Sequence, residues 1–110
     1  MSFDIYTTGF FEKELKRLAK KYPSLKTDFK SLVKSLKENP QHGQPLGKDC
    51  YKIRMSISSK GKGKSGGSRI IYCLKIVAKS VFLLSIYDKS QKENISDHEL
   101  DNLLKIAGLL

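Results

Sequence analysis

A chain of 110 residues with 39% apolar side chains holds one domain around one modest core. It has no run of about 18 apolar residues, which excludes a membrane-spanning helix of the usual kind. Its opening, Met1-Ser2-Phe3-Asp4-Ile5, lacks a basic stretch followed by an apolar one, so no signal peptide is expected and the cytosol is the expected compartment. Nine basic residues from Lys48 to Lys79 face one acid, Asp49, so +8 of the +10 net charge lies in the central third, the footprint of a domain that meets a polyanion.

Phe3 to Thr7 reads as a short edge strand, with Thr7 or Thr8 able to cap the helix that follows. Phe11, Leu15, Leu18 and Tyr22 recur at helical spacing, which predicts a helix over Phe10 to Tyr22 that Pro23 stops. Leu25, Phe29, Leu32, Val33 and Leu36 predict a second helix over Ser24 to Glu38, ended by Asn39-Pro40. The link between them is short enough for an antiparallel hairpin. Lys13, Lys16, Arg17, Lys20 and Lys21 form its solvated outer face, at most an auxiliary RNA contact.

Gln41 to Asp49 reads as a loop, and His42 within it receives no role. Cys50 to Ile57 alternates strictly. Tyr51, Ile53, Met55 and Ile57 point one way, and Lys52, Arg54 and Ser56 point the other. Four glycines and three lysines then interleave between Lys60 and Gly67, with Lys60, Lys62 and Lys64 as a cationic loop. Ser68 to Val77 returns as a β-branched strand, Ile70, Tyr72, Leu74 and Ile76 on one face and Arg69, Ile71, Cys73 and Lys75 on the other.

Ala78-Lys79 is a tight turn. Val81 to Tyr87 is the third strand of the meander, with Phe82, Leu84 and Ile86 expected on the core face and Tyr87 and Lys89 opposite Phe82. Ser96-Asp97-His98-Glu99 is a capping box. Leu100, Leu103, Leu104 and Ala107 continue it as an amphipathic helix that packs on the sheet or is displaced by a partner, with His98 exposed in its first turn.

Gly63-Lys64-Ser65 is similar to the end of a phosphate-binding P-loop, but Ser58 stands where that motif needs glycine. A strand follows where it needs a helix. Cys50 and Cys73 match no zinc spacing and read as buried thiols in a reducing compartment. They pair only if their strands meet at that register. The order β-α-α-β-β-β-α predicts an α+β domain, with a helical hairpin on one face of an antiparallel sheet and a basic open face on the other.

At this point the chain resembles the RelE/ParE superfamily of type II toxins, in its RelE/HigB-like branch. The resemblance rests on the element order, on Asp49-Cys50-Tyr51-Lys52-Ile53-Arg54, on Lys60-Gly-Lys-Gly-Lys-Ser-Gly-Gly-Ser-Arg69-Ile-Ile-Tyr72, and on Tyr87-Asp88-Lys89. It covers almost the whole chain and implies one RelE-like domain over residues 1–110. It implies a ribosome-dependent endoribonuclease that cuts mRNA in the ribosomal A site without metal or other cofactor. The ribose 2′-oxygen would attack the adjacent phosphate, leaving a cyclic phosphate and a 5′-hydroxyl.

By position, the resemblance implies catalytic roles for Lys52, Arg54, Arg69 and Lys89. Lys52 or Arg54 would promote 2′-hydroxyl deprotonation. Arg69, with Lys89, would stabilise the phosphorane-like transition state. Lys60, Lys62 and Lys64 would hold phosphates and Tyr87 would contact RNA. No residue plainly matches the C-terminal tyrosine or histidine that some members use as a stacking or acid–base group; Tyr87 and His98 are candidates by residue type only. The implied partners are the ribosome, mRNA and an adjacently encoded antitoxin, often with a helix-turn-helix. Operator DNA would be met only through that antitoxin, and no membrane is involved. A ParE-like gyrase inhibitor and a non-catalytic RNA-binding module are the alternatives.

Overall fold

A computed structural model describes residues 2–61, 63–92 and 94–110. The strands are β1 (Asp4–Thr7), β2 (Gln44–Gly47), β3 (Cys50–Met55), β4 (Ser68–Lys75) and β5 (Ser80–Asp88). The helices are α1 (Gly9–Lys21), α2 (Leu25–Glu38) and α3 (Asp97–Ile106), and a single 3₁₀ turn occupies Ser58–Lys60. The five strands form one open sheet in the order β1-β5-β4-β3-β2.

The sheet is mixed where a purely antiparallel one was expected. β1 lies at the edge, as its shortness predicts, but runs parallel to β5 with Asp4 opposite Ser80. The remaining neighbours are antiparallel. β2 was read as loop. It is an edge strand of four residues containing Pro45, a residue that only an edge tolerates.

Each helix buries the stripe its spacing gives it. Thr8 Oγ1 accepts the Phe11 amide at 3.0 Å and starts α1. Phe11 and Leu18 of α1 and Leu25 and Leu36 of α2 then pack on Ile53, Met55, Ile70, Tyr72, Leu74, Val81, Leu83 and Ile86. The capping box at Ser96 and Glu99 forms as expected. α3 covers part of the other face, with Leu100, Leu103 and Leu104 against Cys50, Ile71, Cys73, Leu84 and Tyr87. Burying three such leucines contributes about 5–9 kcal/mol in transfer terms. Lys48–Asp101 and Lys92–Glu99 ion pairs flank α3.

A bulge overturns the alternation expected on β5. Ile71 pairs with Ser85 but Tyr72 pairs with Leu83, so Leu84 is the extra residue. Leu84 therefore joins Tyr87 and Phe82 on the α3 side, and Ile86 joins the α1–α2 core. The extra residue leaves donors that α1 satisfies: Glu14 Oε1 accepts from Ser85 Oγ at 2.9 Å and from the Ile86 amide at 3.2 Å. Burial raises the Glu14 carboxyl above the usual carboxylate range despite those bonds.

Cys50 and Cys73 sit directly opposite each other on β3 and β4, buried as free thiols. Among the described residues no helix is long and apolar enough to cross a membrane.

Candidate nucleic-acid interface

One open edge of the sheet is the part of β3 that β2 leaves unpaired. Pairing with β2 stops at Gln44 opposite Lys52, so Ile53–Met55 has no strand neighbour on that side among the described residues. Side chains from both faces reach this edge. They make a cleft of about 300 Å³ lined by His42, Gly43, Gln44, Lys52, Ile53, Arg54 and Lys64. A second cleft of about 310 Å³ shares His42, Ile53, Arg54 and Lys64 with it and continues to Asp28, Ser31 and Ser35 on α2. Together they form one groove with Lys52, Arg54 and Lys64 along it.

The wall carrying His42 is fixed from beneath. The hydroxyl of buried Tyr72 donates to the Pro40 carbonyl at 2.6 Å and accepts the Gly43 amide at 3.1 Å, bracketing His42 on both sides. Burial pushes the Tyr72 phenol up to about 12, so it stays protonated and keeps both bonds. A Cβ at Gly43 would stand 3.0 Å from the Lys52 carbonyl oxygen and 3.0 Å from that hydroxyl, so the turn lies as close to β3 as glycine permits.

The loop that carries Lys64 is anchored at three points. At its start, Asp28 of α2 accepts the Ser58 amide at 2.9 Å and the Ser58 hydroxyl at 2.6 Å. Partial burial opposes the Asp28 charge, yet these bonds and one from Ser24 hold its carboxyl below the ordinary range. In the middle, Lys60 Nζ donates to Asp88 at 2.7 Å and to the Gly66 carbonyl at 2.8 Å, and it sits 5.4 Å from the centre of the Tyr22 ring. Asp88 is fully buried and also accepts the Tyr22 hydroxyl at 2.6 Å and the Ser90 amide and hydroxyl. Burial alone would raise the Asp88 carboxyl, but Lys60, Tyr22 and Ser90 outweigh it and hold it far below the carboxylate range.

At the loop's end, Gly67 packs so tightly on β3 that a Cβ would collide with the Met55 carbonyl oxygen. Arg69, 1% exposed, lies beneath the loop and donates to the carbonyls of Lys64 (3.1 Å), Ser68 (3.1 Å) and Ser65 (3.4 Å).

The predicted site residues thus separate. Lys52, Arg54 and Lys64 line the groove, and Lys52 Nζ also donates to Asn94 at 2.9 Å. Arg69 and Lys60 lie under the loop, bonded to its backbone. Lys89 is half-buried just beyond β5, its amide donating to the Gly67 carbonyl at 3.1 Å. Tyr87, expected to face RNA, is buried against α3 with Lys92 Nζ 4.9 Å from its ring centre. Lys62 lies outside the described residues. His42, given no role from sequence, is in the groove, and nothing local in the sequence signals that its turn is ordered.

The sequence model of the family described as "RelE toxin of RelE / RelB toxin-antitoxin system" matches residues 7–110. An arginine-to-alanine mutant of E. coli toxin RelE in the free state is 19% identical and superimposes with a TM-score of 0.62, over 96% of this chain and 97% of that one. The toxin in the intact E. coli RelBE toxin–antitoxin complex is 21% identical with a TM-score of 0.62, over 79% of this chain and 96% of that one. The RelBE2 toxin–antitoxin complex of Mycobacterium tuberculosis gives 16% identity and a TM-score of 0.61, over 80% and 92%. At these identities the superpositions establish the fold, and the family match over residues 7–110 establishes the kinship: the chain belongs to the RelE toxin family.

Proposed function

We propose that this protein is the toxin of a type II toxin–antitoxin system and acts as a ribosome-dependent endoribonuclease that cuts mRNA in the ribosomal A site. The observation that carries this reading is the groove at the β3 edge, where Lys52, Arg54 and Lys64 converge on one open channel. Cations along a channel suit the phosphates of a single strand. Lys52 takes the proton of the 2′-hydroxyl. Arg54, which stays charged, stabilises the phosphorane-like transition state. Lys64 positions the neighbouring phosphate.

Arg69 serves this site from below by fixing the carbonyls on which Lys64 rides. Lys89, beside Gly67, adds charge to the far end of that loop. The partners are the ribosome with its mRNA and a cognate antitoxin whose acidic segment covers the groove. The antitoxin-bound relatives of E. coli and M. tuberculosis are the precedent for such a partner.

The test is a reconstituted translation system with a defined mRNA, in which 5′ ends are mapped by primer extension with and without ribosomes. Wild-type protein is expected to cut within A-site codons only when ribosomes are present, and Arg54→Ala to cut about 10²–10³-fold more slowly. Uncut mRNA with translation continuing defeats the nuclease and makes gyrase inhibition the next assay. Uncut mRNA with translation arrested leaves a ribosome-binding inhibitor without catalysis.

A further inference from the structure

We infer that His42 is the general acid of the cleavage, giving its proton to the departing 5′-oxygen; this rests on the nuclease reading and names the group that reading leaves open. The charged groups facing His42 along the groove are Lys52 and Arg54 from β3, Lys64 from the loop and Asp28 from α2. Asp28 is held ionised by its bonds to Ser24 and Ser58, so it has no proton to give. Arginine keeps its protons, and Lys52 has the opposite task. An imidazole both releases and regains a proton near neutrality, which is what a leaving alkoxide requires.

Position supports chemistry. His42 lines both clefts, as do Arg54 and Lys64. Its turn is not a loose loop: the buried Tyr72 hydroxyl holds Pro40 on one side and Gly43 on the other. A tyrosine in the sheet's centre, 32 residues from Pro40, is thereby used to fix the backbone around one exposed imidazole. A backbone fixed in this way limits where the imidazole can reach, which favours proton transfer within the transition state.

The step balances without a co-reactant. The 2′-hydroxyl proton passes to the Lys52 amine as the O2′–P bond forms. The P–O5′ bond breaks with its electron pair on O5′, and O5′ takes the imidazolium proton of His42. The products are a 2′,3′-cyclic phosphate and a 5′-hydroxyl, and solvent restores both side chains.

The experiment compares wild type and His42→Gln on ribosomes programmed with a synthetic mRNA that carries either an ordinary phosphodiester or a 5′-bridging phosphorothiolate at the cut position. A thiolate leaves without protonation. His42→Gln is expected to slow single-turnover cleavage of the ordinary mRNA about 10²-fold or more. On the sulfur-containing mRNA the same variant is expected to match the wild type within about threefold, because the acid's contribution is no longer needed there. Equal losses on both substrates would assign His42 to binding or shape and overturn the acid role, as would no loss on either. Wild-type protein that cuts neither substrate defeats the nuclease reading itself, a result distinct from the other two.

Discussion

Two groups of cations come from almost the same stretch of chain and end in opposite situations. Lys60 and Arg69 are enclosed, bonded to Asp88 and to loop carbonyls. Lys52, Arg54 and Lys64 stand along an open channel. The difference lies in what each position must do about desolvation. An enclosed charge is tolerable only with a matched partner, and the two enclosed ones find theirs in Asp88 and in a ring of main-chain oxygens. The groove cations keep their water and leave their charge to be met by a ligand. Composition counts both groups alike as a basic patch, yet one shapes the surface and the other is that surface.

Removing the partner of an enclosed charge breaks the comparison most severely. Asp88→Ala leaves Lys60, Tyr22 and Ser90 unmatched, and equilibrium urea unfolding is expected to show a loss of about 3–5 kcal/mol. The same pair sets an acid limit. An unfolded aspartate titrates near about 3.9, and Asp88 titrates lower in the fold. Its contribution is therefore complete above about pH 4 and is lost as pH falls through the native value. The urea midpoint of wild type should drop between about pH 4 and pH 2, and that of Asp88→Asn should drop less.

Tyr72→Phe sharpens the comparison at intermediate scale. It deletes one hydroxyl that both donates and accepts beneath the His42 turn, and about 1–2 kcal/mol of stability is expected to go with it. Amide exchange at Gly43 should accelerate while that at α3 is unchanged. An unaltered Gly43 rate would show that the turn holds itself.

Lys64→Ala is the mildest change. Stability should stay within about 0.5 kcal/mol. The slope of log affinity for single-stranded RNA against log salt should become shallower by about 0.7, the value of one lost phosphate contact. The same measurement on Lys60→Ala separates the groups: its effect should appear in unfolding, with the salt slope nearly intact.

Much of the fold is legible because its signals are local. Alternation in β3 correctly separates Lys52 and Arg54 from Ile53 and Met55, and the capping box marks α3. The misreadings have non-local causes. β2 contains proline and glycine and becomes a strand only because β3 offers an edge. The β5 bulge has no glycine to announce it and depends on Glu14, 71 residues from Ser85, to accept its donors. That Lys60 is an anchor follows from Asp88, 28 residues away. His42 looked like an ordinary loop residue because its ordering comes from a tyrosine hydroxyl two strands over.

The parallel pairing of β1 with β5 has a consequence for how the protein is made. Asp4 lies beside Ser80, so the first strand synthesised waits for the last before it gains a strand neighbour. Asp88 closes that same last strand and holds the lysine loop through Lys60. Sheet completion and loop anchoring are thus postponed to the same late moment of translation. A nascent chain carries its positive charge long before it carries a finished groove, so a chain interrupted before Asp88 is a basic fragment rather than a smaller toxin.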